Sequence, residues 1–533
     1  MPLMAGQRRD RTLALALAGT AAVVLVRLWF GLHMTFCGTP DSCSYLALAE
    51  SLGNHHGFTE NFLYDFQMDD LHVPTHGIEY WLPGTSFFLL LAKPFGGVTL
   101  HSSIVIATGM GVVLSLAAWK IAIDATGNRR IACASYLLCL VLPPMWIGSI
   151  TPDSALFYAA AVAWFLALFR VRFRSYGEDA LAWVCLAVAN TIRNDAVLLI
   201  VPVLVVLWLR RRSGAPGATT GATKGASPAY AALVVAGFFA AMAPMHMIDY
   251  AVLGHAFPSG TSKVLFLTDL GDMSRYSEPA TLGRMLSMGM AKLIKIRVAA
   301  LPLILYRIVF LMLGFGAIFL AALGWRRDRG RRDGGEAVAM PEIAGGAAFG
   351  ATVVLVYSLI LPAIGSFSAL RSFGALLPLL AVLIVTGMRR SAGSGEMAAS
   401  VAAATMLFYL VAGTMEDRRT VAEMNEIGSK DRRVAAFLTA HQAEPGGASL
   451  VMTRDSAQFS QTTSYWTMPF PENGLAAVRK AAEALRATHV LIDTDEVKST
   501  PDEVRAALDP VEMAPVPETH IVVVTLRPRL ASP

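Results

Sequence analysis

Charge is what this sequence has least of. Only 16% of its 533 residues are Asp, Glu, Lys or Arg, and 55% are hydrophobic, whereas soluble domains carry about 25% charged residues. The deficit is uneven. Apolar runs near the ~20 residues of a bilayer span recur from residue 12 to residue 413, and after Thr414 charge returns. This excludes a soluble enzyme of ordinary composition and predicts a polytopic α-helical membrane region, 1–415, followed by a small α/β domain, 416–533. The excess of +5 is no nucleic-acid signal, because the bases flank the apolar runs. A small-residue cleavage site is lacking at the N-terminus, and its apolar run exceeds the roughly 7–15 residues of a signal-peptide core, so the first helix reads as retained. No internal repeat is visible, which counts against an inverted-repeat transporter.

Eleven spans are predicted, at 12–33, 100–119, 131–148, 152–170, 179–190, 195–209, 230–251, 298–324, 344–363, 371–388 and 397–413. Basic clusters at Arg8 to Arg11, Lys120 to Arg130, Arg170 to Arg174, Arg210 to Arg212, Arg326 to Arg332 and Arg389–Arg390 then all fall on one side. The positive-inside rule makes that side cytoplasmic. The other side is nearly free of bases. From Met34 to Thr99 there is one, Lys93, against seven acids. That segment, the loop 253–297 and the tail are therefore expected outside the cytoplasm. "WLPGTSFFLLLAKPFGG", 81–97, reads as a juxtamembrane helix. "SGAPGATTGATKGASP" and "RRDRGRRDGGEAVAMPE" read as cytoplasmic linkers.

The scarce acids gather at outward turns. In "CGTPDSCSYLALAESL", 37–52, Asp41 starts a short amphipathic helix with Tyr45, Leu48, Ala49 and Leu52 on one face, and Ser42 and Ser44 as potential caps. In "TPDSALF", 151–157, Asp153 again follows a proline and starts a helix. Each acid is either an N-cap worth about 1 kcal/mol or a functional carboxylate. A carboxylate at a membrane boundary is costly. It can serve as a general base or hold a divalent cation. Two further outward turns carry Arg193, beside Asn194 and Asp195, and Arg371. Each arginine is either structural or a phosphate-binding fork.

The order of "PDSCSYLALAESL", "GF" at 57–58, "LPGTSFFLLLAKPFGG", "TPDSALF", "TIRNDAVLLIVP" and "RSFGALLPLL" resembles the GT-C superfamily of membrane glycosyltransferases. It is particularly similar to the bacterial members akin to protein O-mannosyltransferases and the lipid A aminoarabinose transferase. The resemblance covers about residues 12–415. It implies transfer of a hexosyl or pentosyl group, with inversion, from a polyprenyl-phosphate donor to a glycan, lipid or protein acceptor outside the cytoplasm, in a bacterial inner membrane with a cytoplasmic N-terminus. It places catalysis on Asp41 with Asp153 as second acid, and donor-phosphate binding on Arg193 and Arg371. Many members have paired acids in the first loop. Here Ser42 follows Asp41, so a Mg or Mn ion on Asp41 and Asp153 is an open alternative to metal-free catalysis. A lipid or solute transporter and a non-catalytic scaffold are the competing readings, but the first expects charges near mid-bilayer and the second gives no reason for acids at two outer helix starts.

Tyr45, His55, His56, His72, His76 and Glu79 are substrate-contact candidates in the first outer loop. His72 and His76 have metal-ligand spacing, but Pro74 between them argues against a helix. Of five cysteines only Cys37 and Cys43 lie outside the spans. The turn between them can bring their Cα atoms within the ~4.4–6.8 Å of a disulfide, which would orient the enclosed Asp41. In the tail, "SLVMT", "THVLIDT" and "HIVVVTLRP" predict strands, and 473–487 and 501–509 helices, in a parallel or mixed sheet. Gly-rich phosphate loops, nucleophile elbows and metal patterns are lacking there, so the tail is expected to cap the site or bind acceptor. "TRDSAQFSQTTSYW", 453–466, reads as a surface loop or a sugar contact.

Overall fold

The computed structural model describes residues 2–171, 174–212, 227–257, 262–308, 340–361, 365–391, 395–441 and 443–527. Most of the first predicted linker, the Arg326–Arg332 cluster and the second half of the predicted span 298–324 lie outside the described residues. The chain divides into two compact units. One comprises 1–32, 104–247 and 296–420; the other comprises 33–103, 248–295 and 421–533. The sequence set a single boundary at 415/416. The structure instead groups the first outer loop and the 248–295 segment with the tail.

The first unit is helical. A helix occupies the described part of each predicted span, but length and composition qualify only four among the described residues to cross a membrane. These are Thr12–Gly31, Leu100–Thr126, Pro228–Leu253 and Ser368–Arg389, with a fifth if the bent pair Arg129–Val141 and Pro144–Ile150 is one span. The helix Ser154–Leu168 is buried on nearly all sides, as expected of a central helix apolar all round. It packs against Tyr176–Ile192. The last predicted span belongs to a helix that runs from Gly395 to Ala440, past the expected end at 413. Its Gly413 lies so near Trp146 that a Cβ would fall 2.1 Å from the indole.

The bend at Pro144 has a specific consequence. Proline has no N–H, so the carbonyl of Leu140 loses its helical donor. Arg27 of the helix Pro2–Gly31, only 2% exposed, supplies the substitute: its guanidinium donates to the Leu140 carbonyl and, at 3.1 Å, to Ser149 Oγ. At the ends expected to be cytoplasmic several basic residues are paired. Arg170 and Arg174 hold Asp124 at 2.8 and 2.7 Å, and Arg210 holds Asp179 at 3.0 Å.

The second unit contains a two-stranded ribbon, β1 (Thr59–Glu60) and β2 (Thr75–His76). Its main sheet has five strands: β3 (Gly446–Thr453), β4 (Tyr465–Pro469), β5 (His489–Asp493), β6 (Glu512–Pro515) and β7 (Ile521–Thr525). Their order is β4-β3-β5-β7-β6, with β3 parallel to both β4 and β5 and the remaining pairs antiparallel. One face packs Met452, Val490 and Ile492 under the helices Leu475–Leu485 and Pro501–Leu508, together with Leu63, Phe66 and Met68 of the first loop. The other packs Val451, Leu491 and Val523 under Val434, Leu438 and Phe459. The alternation along β5 and β7 is the period of a sheet covered on both sides.

The stretch 453–466 is not a surface loop, and apart from Arg454, Asp455 and Ser464 it is buried or half-buried. It forms the helix Ser456–Thr463, whose Ser456 to Ser460 are buried. This helix also corrects the expectation for Pro40–Gly53, which is buried on both its apolar and its polar sides rather than lying amphipathic on a surface. The Ser456–Thr463 helix covers the polar side: Gln461 Nε2 donates to Glu50 Oε2 at 2.7 Å and Gln458 Nε2 to the Gly38 carbonyl at 2.7 Å.

Candidate active site

In the second unit the site is built around Asp41. Thr39 caps the helix Pro40–Gly53 by accepting from the Ser42 amide, in place of the expected Ser42 or Ser44, and Pro40 occupies the first turn. Proline suits that position because its missing N–H would have no helical partner. Asp41 follows, 7% exposed, where the helix dipole favours a negative charge. A disulfide joins Cys37 to Cys43 with Cα atoms 5.1 Å apart, so the turn bearing Asp41 is closed into a ring.

Tyr64 donates its O–H to Asp41 Oδ1 at 3.1 Å. Its ring is fixed by stacking on Tyr80, centroids 4.8 Å apart, and by the edge contact with Trp81 at 5.2 Å. Tyr45 meets the same indole at 5.8 Å. Burial, followed by the Asp41 carboxylate, holds the Tyr64 phenol well above its ordinary pKa, so it remains a donor. The arrangement is a carboxylate held by a fixed O–H beside a wall of four aromatic rings, which suits the flat apolar face and hydroxyl edge of a sugar.

The other first-loop candidates are dispersed. His55 and His56 are exposed just after the helix. His72 pairs with Asp70 at 2.9 Å, and its ring lies 6.4 Å from that of His76. No helix joins them, because His76 belongs to β2. Glu79 is buried and accepts from the Asp69 amide at 2.7 Å. Asp65 is 1% exposed, and burial raises its pKa to about 7.

In the first unit the predicted residues fall in two clusters that meet at the adjacent positions Arg371 and Ser372. Asp153 caps the helix Ser154–Leu168 by accepting from the Ala155 amide, and its other oxygen receives Arg371 at 3.1 Å. Ser372, next in sequence on the helix Gly365–Phe373, donates to Asp195 Oδ2. Asp195 also accepts from Tyr357 at 2.6 Å and from the Arg193 fork. Arg193 lies 5.7 Å from the Tyr158 ring centroid. The Arg371 side chain is 23% exposed and that of Arg193 9%, which leaves Arg371 the more accessible of the two to an anion. Asp41 and Asp153 belong to different units.

Sequence reasoning missed Tyr64, Tyr80, Trp81, Tyr158, Tyr357 and Ser372. Tyr357 had a weak signal, as a lone phenol in the apolar run "VVLVYSLI". Ser372 had its adjacency to Arg371.

Among the described residues no group of three or more His, Cys, Asp or Glu side chains is placed to hold a metal ion, and Asp153 is neutralised by Arg371.

No protein-family model and no curated protein sequence matches the chain. Solved structures do. The structure of ArnT from Cupriavidus metallidurans bound to undecaprenyl phosphate matches with a TM-score of 0.57 and 15% identity over 96% of this chain and 98% of that one. ArnT from the same organism in the apo state matches with a TM-score of 0.56 and 14% identity over the same shares. Over 96% of its length, this integral membrane protein shares the fold of those ArnT structures.

Proposed function

We propose that this protein transfers a sugar from a polyprenyl-phosphate donor to a hydroxyl acceptor, with inversion, on the extracytoplasmic side of a bacterial inner membrane. The observation that carries this reading is Asp41, buried in the first turn of a helix and held by Tyr64 beside an aromatic wall. The shared fold supports it, since one of the similar ArnT structures holds undecaprenyl phosphate.

Asp41 takes the proton of the acceptor hydroxyl. The freed oxygen attacks the anomeric carbon from the face opposite the phosphate. The bond from that carbon to the phosphate oxygen breaks, and its electron pair leaves with polyprenyl phosphate. The leaving group is already a stable phosphate, so no general acid is needed. Arg371 binds the donor phosphate. Asp153 sets the position of its guanidinium, and Asp195 does the same for Arg193. Trp81 provides stacking surface for a sugar ring, with His55, His56, His72 and His76 as further acceptor contacts. Tyr45, expected from the sequence to touch substrate, is only 1% exposed and backs that indole instead. No step passes through a metal ion.

Asp41→Asn tests the reading, since the amide keeps the size of the carboxyl but is not a base. Expression and thermal unfolding stay near wild type while transfer to membrane acceptors, read by mass spectrometry of lipid extracts, falls by roughly 10²- to 10⁴-fold, the contribution of a general base, to a residual rate. Turnover near wild type in this variant removes Asp41 from the mechanism.

A further inference from the structure

The tail has a cavity of its own. About 620 Å³ opens at the carboxyl edge of the five-stranded sheet, a volume typical of small-molecule sites. Its position follows from the connections. β3 leads into the helix Ser456–Thr463, which packs on one face of the sheet. Its neighbour β5 leads into the helix Pro501–Leu508, which packs on the other. Adjacent parallel strands whose connections leave to opposite faces part at their carboxyl ends, and in open α/β sheets that crevice is where ligands bind. The cavity is lined by residues at and beyond those ends: Thr453, Arg454 and Asp455 of β3 and its sequel, and Asp493, Glu496 and Ser499 of β5 and its sequel.

The lining identifies the ligand chemistry. Lys430 is paired with Asp493 at 2.8 Å and Arg454 with Glu496. Asp431, Asp455 and Glu472 add three carboxyls beyond those two pairs. Burial pushes the Asp431 carboxyl up to about 7 and raises that of Asp455, so an entering ammonium group, which favours their ionised form, is attracted and phosphates and nucleotides are repelled. Carboxylates also accept pairs of hydroxyl hydrogens, and Phe470, Leu475 and Val497 supply apolar wall for a ring's C–H face. We infer that this switch-point crevice of the tail is a binding site for a polyhydroxylated organic cation of the amino-sugar type. The site is separate from the residues assigned to transfer, and its occupancy does not depend on that assignment.

Full-length protein in nanodiscs is titrated with glucosamine, N-acetylglucosamine and spermidine by saturation-transfer NMR. Glucosamine is expected to bind at least tenfold more tightly than N-acetylglucosamine, which keeps the hydroxyls and loses the charge, and more tightly than spermidine, which keeps charge and loses the hydroxyls. Asp431→Asn and Glu472→Gln each weaken glucosamine at least fivefold and leave N-acetylglucosamine unchanged. The fivefold effects of the two crevice variants are the same on the Asp41→Asn background, which separates failure of this inference from failure of the transferase reading. Equal affinity for the two sugars, spermidine binding as tight as glucosamine, or glucosamine binding indifferent to both crevice variants overturns the inference.

Discussion

Replacing Tyr64 by Phe removes one oxygen and little else. The ring keeps its stack on Tyr80 at 4.8 Å and its edge contact with Trp81 at 5.2 Å, so the fold around Asp41 stays in place. What is lost is the O–H at 3.1 Å from Asp41 Oδ1. A hydrogen bond to a charged group is worth about 1.5–3 kcal/mol. If it holds the carboxylate in its reactive orientation, and each ~1.4 kcal/mol is tenfold in rate, kcat falls by roughly 10- to 150-fold. The donor KM stays within about twofold, because the variant touches no phosphate contact, and thermal unfolding shifts little. The assay is steady-state transfer in detergent or nanodiscs, with kcat and KM fitted separately. A cycle with Asp41→Asn adds the discriminating step: if Tyr64 works through Asp41, the Phe substitution costs nothing further once the carboxylate is gone. An unchanged kcat in Tyr64→Phe, or a full additional loss in the double variant with Asp41→Asn, refutes the assignment.

Other outcomes follow from the same geometry. Arg371→Ala should raise the donor Kd at least tenfold, and Asp153→Asn should add little on that background because the two side chains form one pair at 3.1 Å; an unchanged donor Kd rejects the phosphate role. Asp65 has a folded pKa of about 7 against an unfolded value near 4. Its proton is therefore held more tightly in the folded state, and stability is greatest below pH 4 as far as this group is concerned. That stability is lost as pH rises to 7, by a few kcal/mol at most, about 1.4 for each pH unit. Asp65→Asn should flatten this slope in pH-dependent thermal melts; an unaltered slope counts against the burial argument. Peptide mapping of unreduced, alkylated protein made with an oxidising outer compartment should recover Cys37 and Cys43 joined, and Cys37→Ser with Cys43→Ser should cost about 2 kcal/mol. Recovery of both as free alkylated thiols excludes the bridge in solution.

Local signals were the legible ones. Pro40–Asp41 and Pro152–Asp153 announce helix starts within two residues, and the Cys37–Cys43 spacing announces a ring. The strands β3, β5 and β7 were visible as short β-branched runs. The contacts that give the acids their surroundings were not visible, because they join distant residues: Asp153 meets Arg371 across 218 positions and Asp195 meets Ser372 across 177. β4 and β6 are short and end in proline, which disguised them. The helix Ser456–Thr463 was hidden by its polar side chains, which read as solvent-facing. They are buried because they hydrogen-bond across to Gly38 and Glu50, a partnership that one segment cannot reveal. The aromatic wall was missed for the same reason, since Tyr45, Tyr64 and Trp81 gain meaning only when the loop closes on itself.

Arg27 also carries an order in time. Its acceptors lie 113 and 122 residues further along the chain. At synthesis rates of ~5–20 residues per second, the first helix enters the bilayer roughly 6–20 s before Leu140 exists to receive that guanidinium. Through this interval the arginine is a cost to the span, smaller than the ~2.5–3.5 kcal/mol of a helix centre on insertion scales, because Arg27 lies near the end at Gly31. Emergence of the bent Arg129–Ile150 segment gives the guanidinium its acceptors and closes the open carbonyl at the same moment, and the carboxylate that faces it, Asp417, follows later still. The flaw in each helix becomes the anchor of the other, so the first helix takes its final seat only after the segment that needs it has been made.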